Sequence, residues 1–460
     1  MIDSPVQVDG ARVAVLGLGR SGSAAARLLS RRGASVYASD VASSDRTVAA
    51  AEALMAEGIE ASTAGHDRAL LADCDWIVVS PGIPPDAEIL ITPPVCDRPV
   101  FSEIEVASWF ARAPVAAVTG TNGKTTTTAL LGAVAQTGGV SVSVAGNIGR
   151  AFSTAVLEDP DVEWYVLEVS SFQLARIDTF RPRVAVVLNL TADHLDTYTD
   201  VDAYARDKAR ITLNQGRDDH LCLNAEDEAL SGFGSDRPVT RHWFHRHQAV
   251  DRGAWVDDGW ITLTGEAYSG PIIKTAALKI PGQHNVQNAL AATLAAELMG
   301  IEPTAIGSGL ASFGGVEHRL ERVAVIDGVT FVNDSKATNI ESVTVALRAF
   351  DQPLIVILGG RHKGSPYAPL VPLLGARARH VLVIGEAAPR IVSELDGVVD
   401  VTDVGTLERA VERARELVRP GDLVLLSPAC SSYDQFDNYE ERGERFRQLV
   451  VAGAEREVAR

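Results

Sequence analysis

Short apolar runs that end in glycine or polar residues recur along the chain, with helix-length stretches between them. Residues 12–16 form the first run, followed by Gly17-Leu18-Gly19-Arg20-Ser21-Gly22 and an alanine-rich segment ending near Gly33. Runs at 35–38 and 76–79 come next, the first leading to Asp40 and the second to Ser80-Pro81-Gly82. Runs that are continuous rather than alternating mark strands buried on both faces. The pattern therefore predicts a parallel, doubly wound sheet. The segment from Thr92-Pro93-Pro94 to Pro99 punctuates this block and puts its end near residues 102–112.

A second block opens with the run 114–118 and carries buried strands at 164–169 and 184–189. Between residues 240 and 280 the pattern changes to aromatic and glycine-rich alternation (Trp243, Phe244, Trp255, Trp260), which predicts antiparallel hairpins at the side of the domain. An alanine-rich helix over about 285–299 closes the block, with Gly300 at its C-terminus. The third block begins near Phe313-Gly314-Gly315 and has strands at 330–333, 354–358, 380–384 and 423–427. No repeat with a period of 20–50 residues is visible.

Length agrees with several cores: 460 residues exceed what one hydrophobic core organises, and 46% are apolar. A net charge of −18 disfavours a broad nucleic-acid footprint, which needs a basic face. The four cysteines (Cys74, Cys96, Cys222, Cys430) are far apart and read as reduced thiols rather than as a disulfide frame or zinc site. No apolar stretch is long enough to span a bilayer, and residues 1–20 lack the order of a signal peptide. The expectation is a monomeric cytoplasmic enzyme with neither nucleic acid nor membrane as partner.

The chemistry concentrates at strand ends. After the run 114–118 comes Thr119-Gly120-Thr121-Asn122-Gly123-Lys124-Thr125-Thr126, whose glycines and helix start aim backbone N–H groups at one spot. Lys124 adds a positive charge and Thr125 a hydroxyl suited to Mg²⁺. Val118 stands where the general phosphate-loop pattern has glycine, so the match is imperfect. Gly17-x-Gly19-x-x-Gly22 with Asp40 resembles a dinucleotide fingerprint, yet tight strand-to-helix turns need such glycines whatever the ligand. Glu168 ends a buried strand beside the phosphate loop, where a Mg²⁺ ligand belongs or where a glutamate can simply cap a helix. His194, in Asp193-His194-Leu195-Asp196, sits in a polar strand-end loop. On charge pattern alone, Lys208 is an exposed lysine on a solvated helix face. In the third block, polar loops cluster at 333–339, 359–364 and 427–436.

Taken together, the 119–126 loop, Gly146-Asn147-Ile148-Gly149, the Glu168-Val169-Ser170-Ser171-Phe172-Gln173 stretch, Asp193-His194, His318-Arg319-Leu320-Glu321, the 333–339 loop and Ser427-Pro428-Ala429-Cys430 resemble the Mur ligases, ATP-dependent enzymes that add amino acids to peptidoglycan precursors. The resemblance spans all three blocks. It implies an α/β protein of three domains: Rossmann-like and UDP-binding over 1–105, a central P-loop ATPase over 106–315 with a mostly parallel sheet plus a small antiparallel part, and Rossmann-like and amino-acid-binding over 316–460. The implied small-molecule partners are UDP-N-acetylmuramoyl-L-alanine and D-glutamate, with ATP and Mg²⁺ as cofactors.

By the same resemblance, Ser21, Asp40, Ser80 and Gly82 meet the uridine nucleotide, and Asn147 meets the substrate or the metal-linked network. Gly120, Thr121, Asn122, Gly123, Lys124, Thr125 and Thr126 hold ATP phosphates. Asn285, Asn288, Arg319 and Asp334 place its adenine, ribose and γ-phosphate. Thr125 and Glu168 take one Mg²⁺, His194 and Lys208 a second, with Lys124, Glu168, His194 and Lys208 as the catalytic group. In that family the lysine matching Lys208 is carbamylated. Lys336, Thr338, Lys363, Ser432 and Tyr439 bind D-glutamate. Four rival readings stand beside this one: a sibling ligase that adds another amino acid, a folylpolyglutamate synthetase, a nicotinamide-dependent dehydrogenase suggested by the first glycine motif, and a non-catalytic nucleotide-binding regulator.

Overall fold

The computed structural model describes residues 4–84, 87–191, 198, 200–265, 268–362 and 364–458, which build three sheets. The first contains β1 (Arg12–Leu16), β2 (Ser35–Ser39), β3 (Glu60–Ser62), β4 (Trp76–Val79) and β5 (Val100–Ser102). Their order is β3-β2-β1-β4-β5 and every pairing is parallel. The inner strands β1 and β4 are buried almost throughout, which is why their sequences are unbroken apolar runs. The edge strands β3 and β5 have three residues each and leave no such run.

The second sheet holds β6 (Val115–Thr119), β7 (Val142–Gly146), β8 (Trp164–Glu168), β9 (Val184–Val187), β10 (His220–Asn224), β11 (Thr240–His245), β12 (Gly253–Asp257), β13 (Trp260–Thr264) and β14 (Ser269–Lys274). Its order is β14-β13-β12-β11-β10-β9-β6-β8-β7. Antiparallel pairing is confined to β12–β13 and β13–β14. The hairpins expected over 240–280 therefore begin only at β12. β11 pairs in parallel with both β10 and β12, and its alternating burial gives it a hairpin-like sequence. The third sheet, β15 (Glu321–Ile326), β16 (Val329–Asn333), β17 (Leu354–Gly359), β18 (Ala378–Ile384), β19 (Val401–Gly405) and β20 (Leu423–Leu426), runs β15-β16-β20-β17-β18-β19 with only β15 antiparallel.

The chain gathers into two compact units. One comprises residues 1–278 and 284–313 and carries the first two sheets; the other comprises residues 279–283 and 314–460 and carries the third. No helix among the described residues is long and apolar enough to cross a membrane.

Within the first unit the helix Glu103–Ser108 carries two fully buried carboxylates. Glu105 is amply satisfied: it accepts from the backbone N–H groups of Asp178, Thr179 and Phe180, the Thr179 hydroxyl and the Trp109 indole. Glu103 is not. One of its oxygens accepts from the Ser153 N–H at 2.5 Å, and the other has no hydrogen-bond partner among the described residues. Burial pushes its carboxyl up to about 7 against the pull of Ser153.

That shift fixes a sign. Between its ordinary value and about 7 the native state holds a proton that the unfolded chain has released, so stability falls as pH rises through this window. Thermal melts from pH 5 to 8 are expected to show a decline that flattens in Glu103→Gln. Equal slopes in the two proteins would show that Glu103 titrates normally.

Candidate active site

Both candidate sites in the first unit lie at the carboxyl ends of parallel strands, where open α/β sheets bind ligands. The first is a cavity of about 550 Å³ lined by Ser21, Asp40, Ser80 and Gly82, expected to meet the uridine nucleotide, and by Asn147, expected to meet the substrate or the metal-linked network. The Asp40 carboxylate accepts from the N–H groups of Leu18 (2.8 Å) and Ala42 (2.9 Å), so it shapes the glycine turn. Gly17 has φ +94°, and a Cβ there would lie 2.8 Å from the Ser80 side chain. Glycine thus lets the Ser80 hydroxyl reach the Gly17 carbonyl at 3.1 Å. His66 also lines the cavity, its Nδ1 2.8 Å from the Ser39 hydroxyl. Burial lowers its pKa, with Asp40 opposing, which favours the neutral imidazole.

The second site is the phosphate loop between β6 and the helix Lys124–Thr137, with Thr126 buried in that helix's first turn. The loop is pinned from below: the Asn122 N–H donates to Asn189 Oδ1 (2.8 Å), the Asn189 amide returns to the Asn122 carbonyl (3.0 Å), and the Thr121 hydroxyl donates to the Thr191 carbonyl (3.1 Å). Lys124 Nζ donates to the carbonyls of Gly120 (2.9 Å) and Thr121 (2.8 Å). Glu168, buried at the end of β8, accepts from the Thr125 hydroxyl on one oxygen (2.8 Å) and from the Asn147 amide on the other (2.9 Å). One carboxylate thus touches both the loop and the wall of the cavity.

Asn285 and Asn288 are buried on the helix Gln283–Leu298, joined at 3.0 Å, with Asn288 against Gly123. The expectation of an exposed Lys208 is overturned: the residue is 1% exposed. Its Nζ donates to the Gly120 carbonyl at 3.0 Å and lies 4.5 Å from the centre of the Tyr204 ring, so a carbonyl and an aromatic face replace water. Tyr204 in turn donates to the Thr121 hydroxyl at 3.2 Å. Asp193, His194, Leu195 and Asp196 lie outside the described residues.

In the second unit Asp334 is buried after β16, accepting from the Ser427 hydroxyl (2.8 Å) and the Leu320 N–H (3.2 Å). Burial pushes it up to about 7, and the Arg319 guanidinium pulls the other way. Lys336 Nζ reaches the Tyr439 hydroxyl at 3.4 Å and lies over its ring, while the Thr338 N–H donates to the Lys336 carbonyl. Ser432 is buried in the loop after β20. Lys363 lies outside the described residues. Arg442 draws these loops together. Its guanidinium donates to the Ser335 hydroxyl (3.0 Å) and to the carbonyls of Ser335 (2.9 Å), Cys430 (3.2 Å) and Ser431 (3.4 Å).

Residues 11–93 match the Mur ligase MurD-like N-terminal domain, 118–296 the Mur ligase middle domain, and 318–430 the Mur ligase glutamate ligase domain. A UDP-N-acetylmuramoylalanine–D-glutamate ligase from Acidobacterium capsulatum is 43% identical over 97% of both chains. Another, from Salinibacter ruber, is 44% identical over 97% of this chain and 99% of its own. The chain belongs to the Mur ligase family. Its fold agrees: UDP-N-acetylmuramate-alanine ligase from Thermotoga maritima aligns with a TM-score of 0.60 at 21% identity, covering 96% of this chain and 100% of the other.

Two residues of this Mur ligase escape the sequence reading. His66 is a lone histidine in a turn, with nothing nearby to mark it as a cavity wall. Arg442 lies among Glu440, Glu441 and Glu444, so the stretch reads as a solvated helix face; only Gly443 hinted at a close approach, and a Cβ there would meet the His318 ring at 2.3 Å.

Gly123 supplies a direct test of the loop. Its φ is +87°, and a Cβ would stand 2.4 Å from Asn288 Oδ1. Gly123→Ala is expected to weaken nucleotide binding on the order of ten- to a hundredfold, the range set by the strain of such a backbone position. Fluorescence titration with a labelled ATP analogue measures it, and unaltered affinity would show that this loop is not where the nucleotide sits.

Proposed function

We propose that the chain couples UDP-N-acetylmuramoyl-L-alanine to D-glutamate using ATP, in the making of peptidoglycan precursors. The observation that carries this reading is the Asn147–Glu168–Thr125 chain of hydrogen bonds, which joins a nucleotide-sized cavity to a phosphate loop through one carboxylate. The relatives' names and the extent of identity with them support the choice of substrates. A nicotinamide-dependent reaction has no use for the second loop and its lysine.

A carboxylate is a poor electrophile, so the L-alanine carboxylate first takes the γ-phosphoryl group of ATP, giving an acyl phosphate and ADP. The amine of D-glutamate then attacks the acyl carbon; the C–N bond forms, the C–O bond to phosphate breaks, and the amine gives up a proton. Lys124 and the loop amides would offset charge on the transferring group, the dominant catalytic term in such reactions. Thr125 and Glu168 present a hydroxyl and a carboxylate oxygen 2.8 Å apart, hard donors that fit Mg²⁺. Mg²⁺ bound there supplies further neutralisation of phosphate charge. As an ammonium, Lys208 carries the wrong charge for a metal ligand, so its part with His194 at a second Mg²⁺ requires the carbamate.

We assign Asn285, Asn288, Arg319 and Asp334 to the adenine, ribose and γ-phosphate of ATP. Lys336, Thr338, Lys363, Ser432 and Tyr439 are assigned to D-glutamate, whose two carboxylates suit charge-assisted contacts. The three sheets support domains at 1–105, 106–315 and 316–460. The test is phosphate release with ATP, Mg²⁺ and UDP-N-acetylmuramoyl-L-alanine over a panel of L- and D-amino acids. Release dependent on D-glutamate is expected; release with another amino acid alone would reassign the substrate.

A further inference from the structure

A second cavity, of about 290 Å³, opens at the opposite edge of the nine-stranded sheet, beside the first residues of β6 and next to Arg183, which precedes β9. Arg112, Arg181 and Arg183 line it, with Asp219 as the one carboxylate among the lining residues. Among the lining residues three positive groups face one negative, in a chain whose total is −18.

The arrangement is built rather than incidental. The Asp219 side chain is 2% exposed and accepts from Arg181 Nε at 2.6 Å and from the Gly216 N–H at 2.7 Å; Arg183 stands 3.7 Å away. The buried acid thereby fixes the stem of one guanidinium and draws in a second, and both arginines remain nearly half exposed, at 44% and 46%. Arg112 pairs with Asp161, itself 87% exposed, a contact that water and salt weaken readily. Asp218 adds a further negative charge nearby.

We propose that this cavity binds a compact phosphate-bearing anion, at a site separate from the phosphate loop and the uridine cavity. Guanidinium forks match phosphate oxygens two at a time, which a patch of lysines would not do. The volume suits pyrophosphate or a small phosphorylated metabolite, and the sheet separates it from the loop by the length of β6, roughly 15 Å at the strand rise per residue.

The test uses the full chain carrying Lys124→Ala, saturated with UDP, so that both proposed nucleotide positions are silenced, and titrates inorganic pyrophosphate by calorimetry. One saturable site with a submillimolar Kd is expected. Adding Arg112→Gln and Arg183→Gln, which leaves the Arg181–Asp219 pair intact, should weaken it at least tenfold without moving the melting temperature. Absence of saturable binding, equal affinity in the triple variant, or tighter binding of citrate than of pyrophosphate would each overturn the proposal.

Discussion

Lys124→Met is expected to cut turnover on the order of a thousandfold, the scale of losing a dedicated charge stabiliser from a reacting group. The fold should survive it. Lys124 Nζ donates to two carbonyls of its own loop, Gly120 and Thr121, and neither strand nor helix depends on those bonds. The loop keeps its shape through Asn189, Thr191 and Gly123, so melting should shift by no more than a few degrees. D-Glutamate-dependent phosphate release measures the loss. A variant within threefold of the parent would remove Lys124 from the phosphoryl step and with it the proposed role of the loop.

Arg442→Met should produce the largest effect on stability. Arg442 is 1% exposed, and burial lowers its pKa to about 10, which leaves it charged at neutral pH. Substitution removes this donor from the carbonyls of Ser335 and Cys430 and from the Ser335 hydroxyl, while the Ser431 carbonyl keeps the Arg361 N–H. Leaving a buried acceptor without its donor costs roughly 1–3 kcal/mol. Because Ser335 adjoins Lys336, and Ser431 adjoins Ser432, the same change should raise the KM for D-glutamate more than that for ATP. Urea unfolding and a two-substrate kinetic series give the two readouts. Arg442→Lys should recover only part of both, since an ammonium cannot span both loops with a planar fork. An unaltered unfolding midpoint in Arg442→Met would refute the bracing role.

The parallel strands were readable because burial on both faces writes continuous apolar runs, as at 12–16, 76–79 and 354–358. Three-residue edge strands such as β3 and β5 bury too little to leave that mark, and β11 hid its parallel pairing behind alternating burial. The phosphate loop was legible for a different reason: glycines, a lysine and threonines at a strand end have few structural uses in that order. Lys208 shows where local reading fails. Its neighbours are charged, and nothing within the helix reports that Gly120, 88 residues earlier, supplies the carbonyl that accepts its hydrogen bond. The same holds for Arg442, whose partners lie 11, 12 and 107 positions away.

Glu168 has two oxygens and two masters: one answers to Thr125 in the loop, the other to Asn147 in the cavity wall. A ligand that reorients one donor would alter what the carboxylate can offer the other, so the expected result is coupled rather than independent filling of the two pockets. Thermodynamic reciprocity then demands that a uridine compound change ATP affinity by the same factor as ATP changes the affinity for the uridine compound. Asn147→Ala, by cutting the shared link, should bring both factors toward unity.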